Sequence, residues 1–133
     1  MNPDFDTIGK TFVQAYYGRF DQKTSRPEIA QLYIPGHSLL TFEGEQFMGQ
    51  EAIHKKLNEG FPMGNIKRAV TKVDCQPTAD GGVLVFVLGQ LQSADSEGDK
   101  AMGFSQVFVL KTDGNTWFIQ HDMFRLAIHD FAV

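Results

Sequence analysis

A histidine and a carboxylate stand side by side late in the chain, His121-Asp122, inside the otherwise apolar stretch Trp117 to Leu126. In an extended strand successive side chains face opposite ways. Asp122 then shares a face with Phe118, Gln120 and Phe124, and His121 shares the other with Trp117, Ile119 and Met123. A carboxylate in apolar surroundings acquires a raised pKa and can serve as a general base. It can equally be a structural group satisfied by hydrogen bonds, to Arg125 or across a subunit interface, and the strand position favours that role. A second acidic cluster is Asp95-Ser96-Glu97-Gly98-Asp99. It is either a solvated hairpin loop in which Gly98 permits the turn, or a clamp for a basic side chain of a partner. Phe42, Phe61, Met102, Met123 and Phe131 are core candidates first, but Met and Phe around a cleft also accept an aromatic anchor.

Other chemistries lack their spacing. His37, His54, His121 and His129 are scattered without an HExxH pattern or a Cys/His pair, so no metal site is expected. Cys75 is the single cysteine, which leaves no disulfide within the chain, and its strand setting suits packing better than nucleophilic attack. No Gly-rich phosphate loop follows a strand and no GxSxG is present. No catalytic residue and no cofactor are assigned.

The elements that must position these residues follow from periodicity. Phe5, Ile8, Phe12, Tyr16 and Phe20 recur every three or four positions, the stripe of an amphipathic helix over Asp4 to Phe20. Arg26 to Tyr33 is a second helical piece, with Ser25 as cap and Pro27 where a missing N–H costs nothing. Leu39–Phe42 and Gln46–Met48 flank Glu43-Gly44-Glu45 as a tight hairpin, and Gly49 opens a helix that ends near Gly60. Four strands complete the chain: Ile66–Gln76, Val83–Leu91, Ala101–Lys111 and Thr116–Leu126. The run Val83-Leu84-Val85-Phe86-Val87-Leu88 is apolar on both faces, as in a strand covered on two sides. Helices followed by a long antiparallel meander give an α+β class, a curved antiparallel sheet with the helices in its concavity.

Length and composition set the frame. The 133 residues are 42% hydrophobic and 21% charged, with 12 Phe against 3 Tyr and 1 Trp, which describes a globular chain with an unusual demand for apolar rings. One domain, residues 1–133, is expected. The net charge of −4 argues against nucleic acid, and the absence of any run near the ~20 apolar residues of a membrane span argues against a membrane. The acidic opening Met1-Asn2-Pro3-Asp4-Phe5-Asp6 does not suit a secretory signal.

Several segments together carry a resemblance. Phe47-Met48-Gly49-Gln50-Glu51-Ala52-Ile53 is similar to the F-x-G-x-x-A-I signature of the nuclear transport factor 2-like superfamily. Phe12-Val13-Gln14-Ala15-Tyr16-Tyr17, Leu40-Thr41-Phe42-Glu43-Gly44, Val87-Leu88-Gly89-Gln90-Leu91, Met102-Gly103-Phe104-Ser105-Gln106-Val107-Phe108 and Asp122-Met123-Phe124-Arg125-Leu126 resemble its nuclear transport factor 2 family, over nearly the whole chain. The resemblance implies a cone-shaped roll of the cystatin-like kind and a homodimer paired through the outer sheet faces. It implies a non-enzymatic carrier that binds the GTPase Ran in its GDP form and FxFG repeats of nuclear-pore proteins, moving between cytoplasm, nucleus and pore.

Carried over by position, the resemblance makes Glu43 the rim carboxylate and places the other acids among Asp95, Glu97 and Asp99, in a loop longer than usual for the family. The cavity for a partner phenylalanine falls on Phe42, Phe61, Ile66, Met102, Met123 and Phe131, and the repeat-binding patch on Phe5. Phe5 and Phe42 stand where many relatives have Trp, and the Glu59 to Asn65 loop carries an extra residue. Superfamily membership also admits a small-molecule isomerase or dehydratase, for which Asp122 or His121 would be the acid or base. A heterodimeric adaptor of messenger-RNA export is a further alternative, one that does not need the acidic clamp.

Overall fold

The computed structural model describes residues 1–96, 98 and 100–127. Helix α1 (Phe5–Phe20) is followed by a 3-10 helix (Arg26–Leu32), the hairpin β1 (Leu39–Phe42) and β2 (Glu45–Met48), and helix α2 (Gln50–Glu59). Four long strands follow: β3 (Ile66–Pro77), β4 (Val83–Ser93), β5 (Met102–Thr112) and β6 (Trp117–Ala127). All join one curved sheet in the order β2-β1-β6-β5-β4-β3. The class is α+β, as the sequence indicates. The long strands are antiparallel to one another, but β1 lies parallel to β6, so the sheet is mixed rather than purely antiparallel.

Helix α1 buries Val13, Tyr16, Tyr17 and Phe20, which project from adjacent turns onto the sheet, while Phe5, Ile8 and Phe12 flank that face half-buried. Across the sheet the inward residues alternate strictly: Val83, Val85, Val87 and Leu91 on β4, and Phe104, Phe108 and Leu110 on β5, are all buried. Pro27 occupies the first turn of the 3-10 helix, which seats Ile29 and Tyr33 against the same core.

Two features depart from simple alternation. β6 slips register against β5 between Val109 and Leu110, where Val109 faces His121 and Leu110 faces Ile119, leaving Gln120 as an extra residue. The bulge reverses the parity of the strand, so Ile119 and Asp122 are both buried although three positions apart. The expected grouping of Ile119 with His121 and Met123 is thereby corrected. Among the described residues β4 is also covered on one side only: Phe86 and Leu88 are 40% and 43% exposed.

Among the described residues no helix is long and apolar enough to cross a membrane, and no three His, Cys, Asp or Glu side chains are placed to hold a metal ion.

Candidate functional site

Where α1, the β1–β2 hairpin and β6 meet, aromatic rings form a continuous series. Phe104 stacks on Phe124 at 5.8 Å between centroids, Phe124 on Phe42 at 4.9 Å, Phe42 meets Phe61 edge-on at 5.7 Å, and Phe61 meets Phe20 edge-on at 5.2 Å. Phe61 is held in that series by Arg26. The guanidinium lies 4.9 Å from the Phe61 centroid and 4.8 Å from that of Phe20. It donates to Phe20 O (2.7 Å), Met63 O (3.0 Å) and Gly64 O (2.5 Å). A buried arginine at the start of the 3-10 helix thus staples the loop after α2 to the end of α1. Its pKa is lowered, first of all by burial. Sequence reasoning treats Arg26 only as a helix start; an arginine beside a cap and a proline gives no local sign of that task.

Two acids are tied to the segments that carry the rings. Glu43 follows Phe42 in a two-residue turn with φ of 51° at Glu43 and 88° at Gly44, the left-handed geometry that hairpins with right-twisted strands require. Its Oε1 accepts the backbone N–H of Leu126 at 2.5 Å, tying the turn to the end of β6. Asp95 accepts the backbone N–H of Asn65 at 2.8 Å, fixing the loop that carries Phe61. Glu97 and Asp99 lie outside the described residues, as does Phe131.

Beneath the rings lies a small cavity whose walls include Phe42, Phe61, Phe124, Arg68, Gln106 and Asp122, with room of about 10 Å³ for the centre of a water-sized sphere. Its floor is a polar network. Tyr33 O–H donates to Asp122 Oδ2 (2.8 Å), so in the 2.7 Å contact between Tyr16 and Tyr33 the Tyr16 hydroxyl is the donor. Tyr17 O–H donates to Gln106 Oε1 (2.6 Å) and Gln106 Nε2 to Asp122 Oδ1 (2.8 Å). Two chains of donors converge on one carboxylate. Burial pushes Asp122 up to about 6, against the pull of the Gln106 and Tyr33 hydrogen bonds and of the Arg68 charge. Burial likewise pushes the Tyr16, Tyr17 and Tyr33 hydroxyls above their usual range.

The remaining expected residues divide. Phe42 and Phe61 line the cavity. Ile66 is buried in the core at 5% exposure, and Met102 packs half-buried against it, neither among the cavity walls. Met123 is a correction: it is 50% exposed on the outer face of β6, because its neighbours Asp122 and Phe124 point inward. Asp122 does not pair with Arg125, since residues three apart on a regular strand face opposite ways. Phe5 opens α1, half-buried.

The outer face of the sheet is apolar at its centre. Phe86, Val107 and Met123 stand in one cross-strand row, with Leu84, Val109 and His121 in the next.

Residues 8–126 match the family model "Nuclear transport factor 2 (NTF2) domain". The chain is 40% identical over 135 residues to a probable nuclear transport factor 2 of Caenorhabditis elegans, covering 98% of each chain. It is 44% identical over 124 residues to a nuclear transport factor 2 of Oryza sativa subsp. japonica, covering 92% of this chain and 97% of the relative. The solved structure of nuclear transport factor 2 from Cryptosporidium parvum superposes with a TM-score of 0.85 at 43% identity, over 95% of this chain and 97% of that one.

Proposed function

The chain belongs to the nuclear transport factor 2 family, and from that premise we propose that it is a non-enzymatic nuclear import carrier for Ran in its GDP form. The observation that carries the reading is the aromatic series at Phe42 and Phe61 with a carboxylate tied to each segment, Glu43 in the turn after Phe42 and Asp95 to the loop after Phe61. A phenylalanine from the partner takes a place among these rings, with Phe61 giving way, while the two acids meet basic residues beside it. Burying one aromatic side chain contributes on the order of 2–3 kcal/mol before the costs of association. The rim acids add orientation and on-rate more than bulk affinity, and the net charge of −4 steers a basic loop towards the site. Selectivity for the GDP form follows if only that conformation turns the phenylalanine outward.

Two chains pair through the outer sheet face, where Phe86, Leu88 and Met123 are each 40% to 50% exposed. FxFG repeats of nuclear-pore proteins bind near Phe5, weakly and at two sites per dimer, so that the carrier keeps moving through the pore between cytoplasm and nucleus. Small-molecule catalysis finds no support. Asp122 is engaged as a structural acceptor, by Tyr33 at one oxygen and Gln106 at the other, which favours the carrier over small-molecule catalysis.

Isothermal titration of the chain with Ran-GDP, and in parallel with Ran bound to a GTP analogue, tests the reading. Heat with the GDP form alone is the expected result; binding to neither form would overturn it.

A further inference from the structure

One buried cation has an unmet hydrogen-bond donor. Arg68, on β3, has a side chain only 4% exposed. Its Nε and Nη2 are taken by Asp21 at 3.0 and 2.8 Å, and its guanidinium lies 3.9 Å from the Tyr17 ring centroid and 4.9 Å from that of Phe104. Nη1 is buried and has no hydrogen-bond partner among the described residues. Left so, such a charged donor has lost its water without gaining a partner in exchange. Arg68 lines the same cavity as Asp122 and Gln106.

We propose that this floor is a binding site for one neutral hydroxyl oxygen, which accepts from Arg68 Nη1 and donates to the Asp122 carboxylate. The charges select a neutral group. Asp21 already balances Arg68, and Asp122 stands at the same cavity, so an anion would meet an unbalanced carboxylate. The size selects a single oxygen: about 10 Å³ is at the lower limit for one water molecule, and a water needs two to four polar partners, which Arg68, Asp122 and Gln106 supply. Water is the source in the free protein. A phenol oxygen is the second source, and it rests on the carrier reading: a tyrosine-type ring entering by Phe42 and Phe61 would set its hydroxyl where the water stood, whereas a plain phenyl ring would stop against the water.

A high-resolution crystal structure of the whole chain, with and without p-cresol or toluene, separates the sources. The expected result for the free chain is an ordered water about 2.7–3.2 Å from Arg68 Nη1. p-Cresol binding at least tenfold tighter than toluene in an NMR titration, with its oxygen at the water position, would show that the subsite also takes a phenol. Equal binding of the two, with the water retained, would assign the site to water alone. Absence of the water together with equal binding would overturn the proposal, whatever the outcome of the Ran titration. Arg68→Met should remove the water. Because it strips Asp21 of its partner, the double variant Asp21→Asn/Arg68→Met repeats the comparison if the single variant does not fold; a water that persists at the same place in a folded variant also overturns the assignment to Arg68.

Discussion

At the scale of single residues, two carboxylates do opposite work. Glu43 is half-buried at the rim, and one oxygen is committed to the Leu126 N–H. Glu43→Gln keeps that acceptor and removes only the charge. The fold should be unchanged by circular dichroism while Ran-GDP binding weakens roughly tenfold or more, most of it in the association rate at low salt; unchanged titration curves would remove Glu43 from the site. Asp122 is fully enclosed, with its pKa raised from 3.8 to about 6. A carboxyl raised in the folded state holds its proton more tightly there than in the unfolded chain, so it favours folding below about pH 4. That contribution fades as pH climbs from 3.8 towards 6 and is absent above. The difference is on the order of 3 kcal/mol. Urea unfolding of Asp122→Asn should lack this slope, since Gln106 can turn its amide and Tyr33 its hydroxyl to suit a neutral partner. A parallel slope in the variant would assign the pH dependence elsewhere.

At the scale of elements, the β1–β2 hairpin is the part most sensitive to its turn. Gly44 sits at φ 88°, and a Cβ there would come within 3.1 Å of the Arg125 guanidinium. Gly44→Ala should therefore cost about 1–2 kcal/mol from backbone conformation, lowering the urea midpoint without changing its slope. Because the turn also presents Glu43, Ran-GDP binding should fall with it; stability equal to wild type would mean that the turn relaxes to another type. The loop after α2 is built differently. It has no turn motif of its own strength, and its place depends on Arg26 from one side and Asp95 from the other. The position of Phe61 is thus decided by residues 35 and 34 places away in the numbering, which local patterning does not register.

At the scale of the whole molecule, one sheet serves two environments. Its concave face is packed with α1 and the 3-10 helix, and its outer face carries Leu84, Phe86, Val107, Val109 and Met123 across three strands. An apolar patch of this kind on a chain otherwise acidic calls for a partner surface. Phe86→Lys places a charge at its centre and touches nothing inside the core, Phe86 being 40% exposed. Sedimentation velocity should show the monomer mass for the variant and twice that for the parent, with the same circular dichroism. A variant that still sediments as a dimer would place the interface on another surface.

The sequence by itself determined the elements and their order, because helix stripes, strand alternation and turn chemistry act over a few residues. The stripe on α1, the Glu43-Gly44 turn and the β4–β6 strands lie within one or two positions of their expected bounds. It also marked Phe42 and Phe61, through the family resemblance, as neighbours. Tertiary structure alone decided which side of the sheet each residue meets and what it meets there. One extra residue at Gln120 was enough to bring Ile119 and Asp122 to the same face and to leave Met123 on the other. Tyr33 reaches Asp122, and Tyr17 reaches Gln106, across 89 residues of sequence in both cases. Such pairings have no local signature: each requires that α1 and the 3-10 helix first dock in the concavity of a sheet whose strands are made later in the chain.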